Sequence, residues 1–418
     1  MKLLFVHQNM PGQYREMVTW LRDQGGHDIT FLTQRDQIQI KGVRKVMYTS
    51  HHKAGQNAYG LSRVWEDATG MGYGAALAMQ RLHNETGWKP DIILGHTGWG
   101  ELLFMKQVFP DVPMLGFFEF YYEMEGGIVG FSPDDKSSVT TPFIMESRNA
   151  VPNSSWKSAD MGTTPTFWQR DRFPKVFHDR LYVCHDGIRT DRLVPDPNVS
   201  LKVGRVDEPL TRKDEVFTYM ARNLEPSRGF FSFMRALPKI QRERPNARCL
   251  VIGGNDVSYG SKSKDPGGFR GEMTKELGDQ LDWSRLHFLG KVPYNDYMKI
   301  IQLSKCHMYL TKPFVLSWSF LEAMSMQATI VASDVAPVRE AMTHGKNGLL
   351  VDFHNSDQIA DQVIDVLAQP GKYTHIGPAA RKHVVDTYDF HTVCLPEHIR
   401  QINALVPASA GHIAVPDH

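Results

Sequence analysis

Cysteine is scarce. Cys184, Cys249, Cys306 and Cys394 are the only four in 418 residues, they lie far apart, and none forms a CxxC pair. That excludes a zinc ribbon or disulfide framework as the organising principle; Cys249 and Cys306 sit in apolar, strand-like runs where buried free thiols are ordinary. Charge of one sign is also lacking. The formal net charge is +1, whereas a protein that neutralises many phosphates of a polymer carries a basic surplus, so nucleic acid is not an expected partner. A local basic pocket for one small anion stays open. No apolar run approaches the ~20 residues needed to cross a bilayer. The opening MKLLFVHQNMPGQ has a handful of apolar residues ended by a Pro-Gly turn, which reads as a first β-strand and not a signal peptide. A cytoplasmic protein is expected, monomer or homodimer, with peripheral membrane contact left open.

What is present is the alternation of short apolar strands with helix-period segments, the pattern of parallel sheets covered by helices. In the first half strands are read at Lys2–Val6, His27–Leu32, Asp91–Leu94 and Met114–Phe118, with helices near Gln13–Asp23 and Leu61–His83. A second series runs through Val216–Ala221, Arg248–Gly253, His287–Leu289, His307–Leu310, Thr329–Ala332 and Leu349–Asp352. Helices fill its gaps near Phe230–Arg244, Asp296–Leu303, Phe320–Met326 and Asp357–Leu367. Two such series predict two doubly wound α/β domains, 1–188 and 189–390, with a helix in 391–418 packing back toward the first. Ligands of open α/β sheets bind at the carboxyl ends of strands, so two facing sheets predict a ligand cleft between them. The Gly/Ser/Asp-rich stretch Ile128–Thr141 reads as a mobile loop beside it.

Five segments carry candidate chemistry. In MARNLEPSRGF, Met220–Phe230, Arg222 and Arg228 flank a strand-to-helix turn. A helix N-terminus offers N–H donors and partial positive charge, and two guanidiniums beside it would clamp a diphosphate. A solvated arginine pair is the competing reading. In KPFVLSWSFLEAMSMQATIVASD, Lys312–Asp334, Glu322 is placed to accept ribose hydroxyls. The Ser319-x-x-Glu322 spacing equally fits a capping box, in which the carboxylate only satisfies backbone donors. Gly12, in the turn after the first strand, lets backbone approach a ligand. His96 and Glu119 each follow an apolar strand; the histidine also reads as a hydrogen-bonded structural residue, whereas an unpaired glutamate among aromatics is costly to bury.

Taken together, these segments resemble the retaining GT-B glycosyltransferases of family 4 over nearly the whole chain. ARNLEPSRG resembles the family's phosphate loop, LEAMSMQATIVASD its LEAMA-x-G-x-PVVASD stretch, and APVREAMTHGKNGLLVDFHNSDQIADQV its closing segment. CHDGIRTDRL is similar to the interdomain PNGVDT segment, PTFWQRDRFP to a run upstream of it in one bacterial branch, and HFLGKV to the strand and turn beside the nucleotide base. The resemblance implies a GT-B fold of two Rossmann-like domains facing a central cleft. It implies Arg222 and Arg228 on the diphosphate, Glu322 on the ribose, Gly12 in the glycine loop, and Lys291 and Val292 beside the base. His96 matches a histidine of an HAH-type segment. Three positions depart from the pattern. The first glutamate of the family's E-x7-E motif falls at Phe314, its GFG run at Val315-Leu316-Ser317, and its catalytic histidine at Glu119. Backbone contacts to the donor are therefore carried over only to Ser317 and Trp318, with Ser319 beside them.

The implied reaction moves a sugar from a UDP- or GDP-sugar to an acceptor hydroxyl with retention. It needs no metal and no cofactor beyond the donor. Catalytic roles fall to Arg222, Arg228, Glu119 and His96. The acceptor is a small molecule, a lipid-linked sugar or a glycan. The alternatives are a sugar-nucleotide epimerase of the same fold or a non-catalytic nucleotide-sugar binder; a phosphorylase would need a pyridoxal-phosphate lysine, for which no context exists.

Overall fold

Strand β1, Lys2–Val6, is apolar at every position after its lysine, and its burial explains why. Leu3 and Phe5 join one core layer and Leu4 and Val6 another, because side chains of a strand alternate between faces. A strand buried on both sides belongs to a parallel sheet covered by helices. The computed structural model, describing residues 1–132, 138–204, 206, 208–258 and 261–416, has two such sheets in two compact units. Unit 1 comprises Met1–Gly187 and Phe390–His418, and unit 2 comprises Ile188–Asp389.

In unit 1, β2 (Asp28–Thr33), β3 (Arg44–Met47), β4 (Ile92–His96), β5 (Met114–Phe117), β6 (Met161–Thr164) and β7 (Leu181–Val183) complete a seven-stranded sheet in the order β3-β2-β1-β4-β5-β6-β7. All its pairings are parallel. The chain reverses direction across the sheet between β1 and β4. One face is covered by the helix Arg15–Gln24 and by Leu395–Leu405, whose Leu395, Ile399 and Ile402 pack on Leu3, Phe5 and Leu94. Each such buried aliphatic side chain contributes about 1.5–3 kcal/mol over its exposed state. Of the stretch read as a loop at Ile128–Thr141, positions 133–137 lie outside the described residues, and a helix starts at its end, Thr141–Ser158.

Unit 2 begins with a short antiparallel pair, β8 (Ser200–Leu201) and β9 (Leu210–Thr211). Its main sheet contains β10 (Val216–Asn223), β11 (Arg248–Gly254), β12 (Leu286–Gly290), β13 (Cys306–Tyr309), β14 (Ile330–Ser333) and β15 (Leu349–Val351), ordered β12-β11-β10-β13-β14-β15. This sheet too is parallel throughout and reverses between its first strand, β10, and β13. The helix Phe230–Glu243 buries Phe230, Phe233, Met234, Leu237 and Ile240, the i, i+3, i+4, i+7 stripe that faces a core. Its Phe233 ring stacks on Tyr219 of β10 at 4.2 Å. No helix of the described residues is long and apolar enough to cross a membrane.

Candidate functional site

In an open α/β sheet the loops at the reversal point splay apart and leave a crevice at the carboxyl ends of the two strands. In unit 2 those loops follow β10 and β13. The β10 strand ends at Asn223, a single 3-10 turn spans Pro226–Arg228, and Gly229 opens the helix Phe230–Glu243. Gly229 has φ +68°, and a β-carbon there would lie 2.4 Å from that of Leu310. Glycine is therefore needed twice, for the left-handed turn and for the approach to the β13 loop. No side chain caps this helix N-terminus.

One backbone tie holds the two loops together, the Lys312 N–H donating to the Ser227 carbonyl at 3.0 Å, and the Tyr219 hydroxyl of β10 fixes the first loop by donating to the Arg228 carbonyl at 2.6 Å. Arg228 is half-buried between them. Its Nη1 donates to Thr311 Oγ1 at 3.0 Å and its guanidinium lies 5.6 Å from the centre of the Phe314 ring. Arg222, by contrast, is exposed at the end of β10. The structure thus brings Arg228 and Phe314 together, fixes one arginine and leaves the other extended toward solvent. Thr311 and Lys312 join them, and neither had been assigned a role from spacing.

Glu322 lies within the helix Trp318–Ser325, whose N-cap is Ser317, without a side-chain cap. The capping box that the Ser319-x-x-Glu322 spacing equally fits is not formed. Instead Glu322 Oε1 accepts from the Tyr294 hydroxyl at 2.7 Å. Tyr294 begins the helix that follows Lys291 and Val292, so Glu322 is tied to the β12 end of the crevice. Lys291 itself is exposed and forms a 3.7 Å ion pair with Asp256. Ser317 and Ser319 are turned inward: their hydroxyls pair at 2.8 Å, and the Ser317 N–H donates to the Tyr309 hydroxyl at 3.2 Å. Trp318, between them, is 44% exposed. One amide carried over as a donor contact, that of Ser317, is thus committed inside the protein.

Unit 1 has its own cluster at its own reversal point, the ends of β1 and β4. His96 Nδ1 accepts the Gly98 N–H at 3.0 Å, which leaves the Nε2–H to point at Glu119 Oε2, 3.3 Å away. The Gln13 amide reaches Glu119 Oε1 at 3.4 Å. His7, which no motif had marked, is buried edge-on to His96 at 5.3 Å. Gly12, with φ +53°, sits where a β-carbon would come within 2.7 Å of the His7 ring, so this glycine serves the histidine packing. The signal for His7 was a lone polar residue ending a fully apolar strand. Glu101, fully buried below, accepts from the Gln8 N–H at 3.1 Å and the Tyr48 hydroxyl at 2.9 Å.

Burial, and then the neighbouring His96, push the His7 imidazole down to about 3. Between the ordinary histidine value of 6.5 and about 3, the unfolded chain binds a proton that folded His7 refuses. Stability from this group is therefore present above 6.5 and lost as pH falls through the window, with a slope of at most about 1.4 kcal/mol per pH unit. Glu101, raised by burial, acts in the opposite sense above its ordinary 4.5. Denaturant unfolding at stepped pH is expected to show a shallower acid loss in His7→Asn than in the wild type; identical slopes would remove His7 as the cause.

Among the described residues no group of three or more His, Cys, Asp or Glu side chains is placed to hold a metal ion.

Comparison with known proteins agrees with this architecture. The family model described as glycosyl transferase family 4 group matches residues 25–193, and that described as glycosyl transferases group 1 matches 205–383. The chain is 25% identical over 240 residues, 56% of its length, to a GDP-mannose-dependent alpha-(1-6)-phosphatidylinositol monomannoside mannosyltransferase of Mycolicibacterium smegmatis. It spans about 60% of that relative's length. It is 27% identical over 160 residues, 37% of each chain, to a phosphatidyl-myo-inositol mannosyltransferase of the same organism. Its fold is similar to that of sucrose-phosphate synthase from Thermosynechococcus elongatus (TM-score 0.67, 15% identity, 97% of this chain and 99% of that one). It is also similar to Anabaena HepE in complex with UDP and glucose (TM-score 0.63, 16% identity, 93% and 96%). At such identities the structural likeness concerns the fold.

Proposed function

We propose a function for a chain that belongs to the family 4 group of the GT-B glycosyltransferases: it transfers a sugar from a nucleotide-diphosphate sugar to an acceptor hydroxyl with retention of configuration. The observation that carries this reading is the uncapped helix N-terminus at Gly229 with Arg228 fixed beside it by Thr311 and Phe314. That arrangement is built for a dianionic group. Backbone N–H donors and a guanidinium held in advance stabilise charge without reorganising when it develops.

In this scheme the diphosphate lies on the Gly229 helix start and Arg228, with Arg222 swinging in from the strand end. The bond between the anomeric carbon and the diphosphate oxygen breaks and its electron pair goes to that oxygen. The acceptor oxygen bonds to the same face of the anomeric carbon, and its proton passes to the leaving phosphate. Two arginines and a helix terminus supply the neutralising charge, so the rate is expected to be unaffected by a chelator. Glu322, steadied by Tyr294, holds the ribose, and the base lies toward Lys291 and Val292. The acceptor side is assigned to unit 1, where Glu119, oriented by His96 and Gln13, offers a carboxylate to a substrate hydroxyl. The names of similar proteins point to GDP-mannose and UDP-glucose as the first donors to try and to a glycolipid as the first acceptor.

A panel of UDP- and GDP-sugars, scored for nucleotide release with and without acceptor, tests the reading; no turnover and no binding of any member would sink it. Within that assay Glu322→Gln is expected to raise the donor KM about tenfold with kcat little changed, the mark of a contact made equally in ground and transition states. A fall in kcat at unchanged KM would place Glu322 elsewhere in the mechanism.

A further inference from the structure

The loop from β13 to the helix Trp318–Ser325 borders the phosphate end of the crevice, because Phe314 packs on the Arg228 guanidinium. Whatever is attached to the bound diphosphate meets this loop. Its sequence, Thr311-Lys-Pro-Phe-Val-Leu-Ser-Trp-Ser319, contains no carboxylate and no amide side chain. Its hydroxyls and one of its amides are committed inside the protein. The Thr311 hydroxyl donates to the Lys312 carbonyl at 2.9 Å and accepts from Arg228, the Ser317 amide goes to Tyr309, and the Ser317 and Ser319 hydroxyls pair with each other. Glu322, the nearest acid along the chain, holds Tyr294. Apart from the Lys312 ammonium and the Trp318 N–H groups, what the loop offers is carbon: the half-buried Phe314 and Val315 and the exposed Trp318 ring.

A sugar hydroxyl pressed against the Phe314 ring loses its water and gains no partner from it. That costs about 1–3 kcal/mol, whereas a C–H or methyl group in the same place gains by burial. We propose that Phe314 is a specificity-determining residue that selects nucleotide donors whose sugar is deoxygenated on the side facing the Phe314–Trp318 wall, a 6-deoxyhexose or a related deoxy sugar. This rests on the donor reading above and narrows its substrate class.

The test uses matched donors that differ by one oxygen: GDP-6-deoxy-D-mannose against GDP-D-mannose, UDP-6-deoxy-D-glucose against UDP-D-glucose, and the 3- and 4-deoxy analogues of each. Donor affinity by calorimetry and kcat/KM for nucleotide release are measured for the full chain. In the wild type one deoxy donor is expected to exceed its parent by about tenfold or more, the equivalent of ~1.4 kcal/mol. In Phe314→Glu, which places an acceptor on the wall, the ratio is expected to invert toward the hydroxylated parent, while Phe314→Leu keeps the wild-type order. Parent and deoxy donors used equally by the wild type, or a preference that Phe314→Glu leaves in place, would overturn the proposal with the glycosyltransferase reading intact. Binding of none of these donors would overturn both.

Discussion

Arg228→Ala is expected to lower kcat/KM for nucleotide release by about 10²–10³-fold, the loss measured when one preorganised donor is removed from a site where charge develops. The cause is geometric. Arg228 is held on one side by Thr311 and on the other by the Phe314 ring, so its guanidinium needs no search for position. An arginine so fixed gives up little side-chain entropy on meeting the phosphate and acts most strongly when the anomeric bond has stretched. Arg228→Lys tests the same point more finely. A lysine keeps the charge but not the planar fork that both donates to Thr311 and lies on the ring, so most of the activity is expected to be lost with the charge conserved. Arg222→Ala is expected to cost less, because the exposed Arg222 must pay for its ordering when the donor binds. Steady-state kinetics on the three variants, with melting curves showing each folded, decide the matter; equal losses for Arg222→Ala and Arg228→Ala would contradict the unequal roles.

Gly229→Ala is expected to be the most damaging single methyl group in unit 2. At φ +68° any other residue is strained, by about 1 kcal/mol for alanine. The added β-carbon would also stand 2.4 Å from the Leu310 β-carbon, inside any allowed contact, with the Phe353 ring 3.1 Å away. Relief requires the β10 and β13 loops to separate, which breaks the Lys312–Ser227 tie and carries Arg228 off Thr311. A total loss of about 2–4 kcal/mol follows from strain plus overpacking, or roughly 5–15 °C in Tm for a unit of this size. Donor affinity is expected to fall with it, since Arg228 leaves its place beside the helix start. A variant that melts like the wild type and binds nucleotide normally would show that the loop approach has no bearing on the site.

The strands most legible from sequence are those apolar after a first basic residue, KLLFV in β1 and RCLVIGG in β11, because burial on both faces leaves little room for polar residues beyond the strand's start. Those that were not legible are short and mixed: RKVM in β3 lies at the sheet edge and is partly exposed, and MGTT in β6 buries its threonines. The helix Thr141–Ser158 was hidden by Pro152 in its interior, a residue that ordinarily ends helices. The site shows the same division. Arg228 was marked by its place between a strand end and a helix start, a signal written in consecutive residues. Its neighbour Phe314 was visible only as a departure from a motif. That the two touch depends on β10 and β13 being adjacent, and sheet order is a tertiary fact. Tyr294 meets Glu322 across 28 positions of chain, and His7 meets His96 across two strands. No local pattern encodes either meeting. The capping box failed for a related reason: the helix starts two residues earlier than the spacing assumed, at Trp318, and that frees Glu322 for the tyrosine.

The central claim is that the β10 turn and its two arginines hold the donor's diphosphate. The most direct measurement is nucleotide release from the best UDP- or GDP-sugar of the panel by Arg222→Glu/Arg228→Glu, with the melting curve recorded on the same sample. The account predicts a folded protein that binds neither free nucleotide nor donor and releases no nucleotide above the uncatalysed rate. Undiminished turnover by the folded double variant would contradict it.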